Sequence, residues 1–401
     1  MSPDTRRVLV AQALRALAYG LGAVLLGSTL DDLGLSPIEA GLVLAAVVGG
    51  AVTGSFVIGR RGDRWGRRTT YRGLYLLLAA TAVVFAFAEQ WWVLAIVALG
   101  GALSTEVVES GPFTSIEQAM LATDLRGNEL ARGFSLYNAV AAAAGSVGAL
   151  AAGLPALTRD LWDGAPADQR WFLAMVPAAI AGAAVTRSLS PAVEAGVAQT
   201  SGGDDRRVLG PSRPIVLRLA GLFAVDSFAG GFSVSAFIAY WFAHRFATSA
   251  ATLGLVFAGV GVLQTLSFLM AGRLADRYGL LTTMVATHLP SNLLLAALAF
   301  APSFPIAVGL LFARVALSQM DVPTRQAYVM ALVSPAERTA AAATTNSARY
   351  LTRPFGTALG GVVASVAIGA PFLIAGFIKS AYDLVLWRWF RTVALPEEPT
   401  R

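Results

Sequence analysis

"GRRGDRWGRR", Gly59 to Arg68, places five arginines and one aspartate between two long apolar runs. Charge of that density belongs at the end of a membrane span, where it sets orientation, and not in a packed interior. A thinner copy, "GRLADRYG", returns at Gly272 to Gly279. Asp276 minus Asp63 is 213 residues, so the chain repeats a charged loop at about half its length.

Outward from these loops the sequence is oily. Of 401 residues 56% are hydrophobic and 13% charged, with a mean hydropathy of +0.64. A soluble domain carries roughly 25% charged residues, and a helix that crosses a bilayer needs ~20 mostly apolar residues. The chain offers about twelve such segments. They are apolar all round rather than striped, which excludes water-facing helices. The fold class read from this is an all-α membrane protein with 12 transmembrane helices. There is no Cys, so disulfides and thiolate metal sites are excluded. The N-terminus, "MSPDTRRVLVAQALRALAYG", lacks a small-residue cleavage site and reads as a retained first helix.

The net charge of +6 is a matter of topology rather than of nucleic-acid binding. With the N-terminus inside, inner segments hold Arg6, Arg7, the five arginines of the opening stretch, Arg206, Arg207, Arg213, Arg273 and Arg277, among others. Outer segments hold Arg159, Arg170 and Arg245 beside Asp31, Asp32, Glu39, Glu89, Asp160, Asp163 and Asp168. This predicts both termini in the cytoplasm of a protein in the cell's inner membrane. A Gly-, Ser- and charge-rich stretch follows the sixth span and reads as a linker. The expected organisation is residues 1–188 as one six-helix bundle, 189–213 as a cytoplasmic linker and 214–401 as a second bundle.

A second echo supports duplication. "EQAMLATDLRGNELARGFSLYNA" from Glu117 and "RQAYVMALVSPAERTAAAATTNSA" from Arg325 align at a shift of 208, matching Gln118 to Gln326 and Asn138 to Asn346. Two halves built by duplication are a transporter architecture. The pattern formed by Gly59, Asp63, Arg64, Gly66, Arg67 and Arg68 resembles the signature loop of the major facilitator superfamily. Gly272, Asp276, Arg277 and Gly279 resemble its second copy, without the final basic pair. The resemblance implies two pseudo-symmetric bundles, a cavity lined by spans 1, 4, 7 and 10, and spans 3, 6, 9 and 12 outside. It also implies that Asp63 latches the loop to span 11, with Asp276, Arg277, Arg349 and Arg353 as further latch candidates. On physical grounds alone, Asp63 is placed to accept bonds at a neighbouring helix N-terminus.

Ionisable residues at bilayer depth cost about 2.5–3.5 kcal/mol each and mark function by default. They fall on the cavity spans: Arg15 on span 1; Glu106, Glu109 and Glu117 on span 4; Asp226 on span 7; Arg314, Asp321 and Arg325 on span 10. At the 208 shift Glu106 maps onto Arg314 and Glu117 onto Arg325, so the halves carry opposite charges at equivalent sites. Arg15 and Asp226 are 211 apart. The expectation is that acids of span 4 face bases of span 10 across the cavity. Glu109, which maps onto Leu317, is the leading proton carrier, with Glu106, Asp226 and Asp321 beside it. Arg15, Tyr19, Glu106, Glu109, Asp226, Arg314, Asn138 and Asn346 are the expected substrate contacts. Lys379 and Asp383 on span 12 read as a local pair, and His288 on span 9 as structural. Tyr240 and Trp241 read equally as substrate contacts or as an interfacial belt. The stretches "GSVGALAAG" from Gly145 and "GTALGG" from Gly356 are small-residue packing faces.

No nucleotide-binding loop is present, so direct ATP drive is not expected, and no cofactor or resident metal is called for. The expected function is a secondary active transporter, not an enzyme, that exports an amphiphilic small molecule against protons by alternating access. The absence from span 5 of the Gly-Pro pattern of proton antiporters of the superfamily weighs against export. Uptake or exchange of an organic anion held by cavity arginines is one alternative. A metal-cation exporter using Glu109 and Asp321, a channel and a receptor are others. The expected partners are a small-molecule substrate, protons and the lipid bilayer, with no nucleic acid, and the expected state is a monomer.

Overall fold

A serine starts the second span of each half. Ser36 accepts from the Glu39 N–H at 3.3 Å, and Glu39 accepts from the Ser36 N–H at 2.9 Å, a reciprocal cap. Ser249, 213 residues later, accepts from the Thr252 N–H at 3.3 Å. The loops that end these spans match as well. Gly66 and Gly279, again 213 apart, both have φ +83° and both precede a helix. The loop echo is therefore an echo of backbone geometry that only glycine adopts without strain.

The computed structural model describes residues 1–108, 111–124, 128–162, 164, 166, 168–194, 209–333 and 337–393, without the side chains of 59–60, 62–64, 119, 122–124, 128–135, 160, 168, 338–340 and 342. Its helices are α1 Pro3–Asp32, α2 Pro37–Trp65, α3 Arg67–Phe87, α4 Trp91–Ala98, α5 Pro112–Asp124, α6 Asn128–Ala151, α7 Leu154–Leu161, α8 Met175–Arg187, α9 Arg213–Gly231 and α10 Ser235–Phe246. They continue with α11 Ala250–Tyr278, α12 Leu280–Leu298, α13 Phe304–Ser318, α14 Asp321–Leu332, α15 Arg338–Val366 and α16 Ala370–Phe390. The described residues form no strand. Nine helical stretches among them are long and apolar enough to cross a membrane. The three other expected spans correspond to α4 with α5, to α8, and to α15, whose arginines lower its hydropathy.

Three spans read as continuous are broken. In span 4 the helix stops at Ala98 and resumes at Pro112. Gly101 and Gly111 there have φ +78° and +65°, and a Cβ on Gly101 would lie 2.3 Å from the Gly50 carbonyl oxygen. The unwound stretch therefore lies against α2, and glycine is needed for both conformation and room. Span 10 breaks between Ser318 and Asp321, and span 7 between Gly231 and Ser235. Pro112 and Asp321 are 209 apart, so spans 4 and 10 resume within one residue of equivalent points.

Packing divides the chain into two compact units: Met1–Gly203 with Val234–Val262, and Asp204–Ser233 with Leu263–Arg401. In the first unit α1 crosses α6 on glycines. A Cβ on Gly20 would lie 2.0 Å from the Gly145 oxygen, and one on Gly148 2.0 Å from the Leu17 oxygen. In the second unit α9 crosses α15 in the same way, Gly231 against the Arg353 oxygen at 2.3 Å and Gly356 against the Phe228 oxygen at 1.9 Å. These are the repeat-equivalent positions, with Arg353 standing where Gly145 stands. Both small-residue faces thus pack as the sequence indicates.

The first unit also takes in α10 and the start of α11. Tyr240 and Trp241 are 0% and 1% exposed, so neither forms an interfacial belt. Tyr240 stacks on His244, whose Nδ1 lies 2.8 Å from Asp31 Oδ1. In the second unit Val216, Leu219, Phe223, Tyr328, Tyr382 and Leu386 form the core of one apolar cluster. Leu255, Leu266 and Leu269 on α11 are exposed, as a lipid-facing helix requires.

Candidate functional site

Arg15 is fully buried in the middle of α1. Its Nε and Nη2 donate to the two oxygens of Glu117 on α5 at 3.1 and 2.8 Å. Tyr71 on α3 donates to one oxygen of Glu117 and Tyr137 on α6 to the other. The Arg15 guanidinium lies over the rings of Tyr19 and Phe113, and Phe113 meets Tyr19, Tyr71 and Tyr75 edge-on. Tyr19 and Tyr75 donate to the carbonyls of Ala102 and Ala11. This forked pair, ringed by aromatics, is neutral as a unit. Arg15 and Tyr19, expected to contact substrate, are both held in packing.

The second unit carries the same pair with its charges exchanged. Arg15 maps onto Asp226 on α9, and Glu117 onto Arg325 on α14. Arg325 Nη1 lies 3.9 Å from Asp226 Oδ2. The sequence reading paired span 4 acids with span 10 bases across the halves. The structure instead pairs Glu117 with Arg15, and Arg325 with Asp226 and Asp321, each within its own unit. The reason is distance along the duplicated fold: spans 1 and 4, and spans 7 and 10, adjoin within a half.

Around Asp226 the second unit adds charge where the first has neutral groups. Phe113 maps onto Asp321, which accepts from Arg325 at 2.7 Å. Tyr75 maps, at the 213 shift, onto His288 on α12. Lys379 on α16 donates to Asp226 Oδ1 at 2.6 Å. His288 Nε2 lies 3.9 Å from the same oxygen, and His288 Nδ1 is 2.9 Å from Asp383 Oδ1. Asn292 donates to Asp383 Oδ2 at 2.8 Å. All of these residues are buried. Lys379 and Asp383, read as a local pair, have different partners on different helices. Spans 9 and 12, expected to be peripheral, thus contribute to the densest charge cluster among the described residues.

In the first unit the anion at the α3 N-terminus is Glu194. It accepts from the Arg67 N–H at 2.8 Å and the Arg68 N–H at 3.0 Å. Arg67 and Arg68 also reach the carbonyls of Val193 and Arg187. Glu194 thus fills the capping role argued for Asp63, whose side chain, like that of Arg64, lies outside the described residues. Gly59 lies within α2, and Gly66 makes the turn. Asp276 and Arg277 are exposed at the end of α11. The Arg349 carbonyl accepts from Ser227 at 2.7 Å, and Arg353 lies at the α9–α15 crossing. In the second unit Glu337 accepts from the Gly210 N–H at 2.7 Å and from Ser212 Oγ at 2.9 Å, tying the start of α9 to the start of α15.

Glu109 lies outside the described residues. Glu106 is half-buried in the unwound stretch of span 4, where its N–H donates to Ser104 Oγ at 3.1 Å. Arg314 and Asn138 are half-buried, and Asn346 is exposed. Among the described residues no group of three or more His, Asp or Glu is placed to hold a metal ion.

A family profile described as the Major Facilitator Superfamily matches residues 8–224 and again 219–401. The chain belongs to the Major Facilitator Superfamily. It is therefore a transporter rather than an enzyme, and a multi-pass membrane protein. The uncharacterized membrane protein YJR124C of Saccharomyces cerevisiae is 22% identical, over 96% of this chain and 93% of that one. A D-xylose-proton symporter has a similar structure, with a TM-score of 0.77 at 15% identity, covering 96% of this chain and 98% of that one. The nucleoside transporter NupG gives 0.71 at 17% identity, covering 97% and 98%.

Within this superfamily fold, sequence reasoning read His288, Lys379 and Asp383 as structural, and passed over Asn292 and Glu194. One signal was present. The 213 shift that matches the two signature loops also carries Tyr75 onto His288, a neutral hydroxyl onto a titratable ring.

Proposed function

We propose that this protein is a proton-driven transporter of a small molecule, working by alternating access as a monomer in the inner membrane with both termini cytoplasmic. The observation that carries the proposal is the cluster of Asp226, His288, Asp321, Arg325, Lys379 and Asp383. One saturated pair suffices for structure, as Arg15 and Glu117 show. Six ionisable groups at bilayer depth, one of them a histidine, are what reversible protonation needs. The unwound stretch of span 4 supports a substrate role for Glu106, because broken helices offer free backbone groups at membrane depth.

Two cargoes have support. The short loops and Glu106 favour export of an amphiphilic compound, although Tyr19, Tyr240 and Trp241 are buried and lend it nothing. The likeness to a D-xylose-proton symporter and to a nucleoside transporter favours proton-linked uptake of a polyhydroxylated solute. Reconstituted vesicles separate them, with radiolabelled tetraphenylphosphonium, D-xylose and uridine as probes. Accumulation in vesicles made acid inside indicates export, and accumulation in vesicles made alkaline inside indicates uptake. Either is expected to collapse on adding a protonophore. Transport that ignores the protonophore overturns the proton-driven reading.

A further inference from the structure

The cluster of the second unit does not balance its charge. Among the described residues it holds three carboxylates, Asp226, Asp321 and Asp383, against two fixed cations, Lys379 and Arg325. His288 decides the sum: the cluster is neutral when the imidazole carries two protons and bears one negative charge when it carries one. Burial in a bilayer disfavours an uncompensated charge, so the extra proton is bound or released as solvent access changes.

The geometry also says which nitrogen exchanges it. His288 Nδ1 lies 2.9 and 3.1 Å from the two oxygens of Asp383, a carboxylate that needs donors. Asn292 donates to that carboxylate from one turn along α12, fixing its position. Asn292 Nδ2 also lies 3.1 Å from His288 Nδ1, but it has a shorter acceptor in Asp383 Oδ2 at 2.8 Å. The carboxylate at 2.9 Å from Nδ1 can only accept, so the Nδ1–H goes to Asp383. Nε2 points the other way, towards Asp226 at 3.9 Å, too far for a direct bond but within reach through one water or a small shift. The side chains of Asp226 and Lys379 retain 6% and 9% exposure, whereas that of Asp383 has none, so the Nε2 side is the less enclosed side of the cluster.

We propose that His288 Nε2, held by the Asp383–Asn292 brace and facing Asp226, is the proton-binding atom of the second unit. The step is proton transfer alone. The Nε2–H bond breaks, its electron pair stays on nitrogen, the proton leaves to water, and the cluster passes from neutral to minus one. The groups that face the ring are Asp383 and Lys379 on α16, Asp226 on α9, Asp321 and Arg325 on α14, and the edge-on ring of Tyr382 at 6.0 Å. The neighbouring α13 carries Arg314, and α15 carries Arg349 and Arg353, all half-buried. This inference rests on the proton-driven reading and names the atom through which that reading works.

The chain has only two histidines, which makes the test direct. Full-length protein with isotope-labelled histidine is placed in nanodiscs, and nitrogen spectra are recorded between about pH 5 and 9. His244→Gln removes one set of signals and so assigns the other to His288. The expected result is an Nδ1–H at every pH and an Nε2 that gains and loses its proton reversibly. Asp383→Asn is expected to abolish the preference for the Nδ1–H tautomer. An imidazole that is silent across the range, or a neutral form protonated on Nε2, overturns the proposal on the native protein, whatever the variants do. Titration of Nε2 in a protein whose transport ignores the protonophore upholds the proton site and overturns only the proton-driven reading.

Discussion

Arg15 and Asp226 occupy one position of the repeat, and Glu117 and Arg325 another. At the first unit's pair the guanidinium is satisfied by both carboxylate oxygens, and that carboxylate by two further tyrosine hydroxyls. Removing one partner strands the other in low dielectric. Glu117→Gln is expected to destabilise the protein by about 3–5 kcal/mol, read by denaturant unfolding in detergent. Arg15→Met combined with Glu117→Leu removes both charges and is expected to recover most of that loss, less what the hydroxyls of Tyr71 and Tyr137 lose with their acceptor. Equal losses in the single and double variants contradict this account. The residue types were legible in the sequence, as was their equivalence between halves. Their partners were not, because a shift of 208 or 211 says which residues correspond and not which side chains meet.

At the scale of elements, the two glycine crossings place helix backbones in contact. Gly356 leaves 1.9 Å between an added Cβ and the Phe228 oxygen, whereas Gly221 on α9 has nothing within 4 Å. Gly356→Ala is expected to prevent close approach of α9 and α15 and to cost at least about 1–3 kcal/mol. Gly221→Ala is expected to be neutral or stabilising by about 0.5–1 kcal/mol, because it lowers the entropy of the unfolded chain. Melting temperatures of the two variants, measured side by side, check the contrast. Small-residue stretches were readable as packing faces because only close helices need them. The breaks in spans 4, 7 and 10 escaped the sequence reading, since a window of about twenty residues averages a short unwound stretch with the apolar turns on either side. Gly100, Gly101 and Gly111 in span 4 marked its break, yet isolated glycines are common in membrane helices that stay intact.

For the whole molecule, the arginine asymmetry predicts which face of the membrane each loop meets. Because the chain has no cysteine, single replacements report cleanly. Arg61, near the end of α2, and Gln90, just beyond the far end of α3, are both exposed. Arg61→Cys is expected to react with an impermeant maleimide only from the cytoplasmic side, and Gln90→Cys only from outside. The reverse pattern means that the positive-inside reading of this chain is inverted. That reading needs no coordinates, because an arginine's preference for the inner face depends on the charge of a short loop and not on its packing.

The amino-acid order alone determined the membrane class, the duplication, the superfamily and the placement of ionisable residues within apolar spans. These follow from composition, spacing and the cost of charge in hydrocarbon, each a property of the chain taken locally. Only the tertiary structure decided that Lys379 meets Asp226, that His288 bridges towards Asp383, and that Glu194 caps α3. Those contacts join helices far apart in sequence, and a side chain's partner is set by how the helices cross and turn.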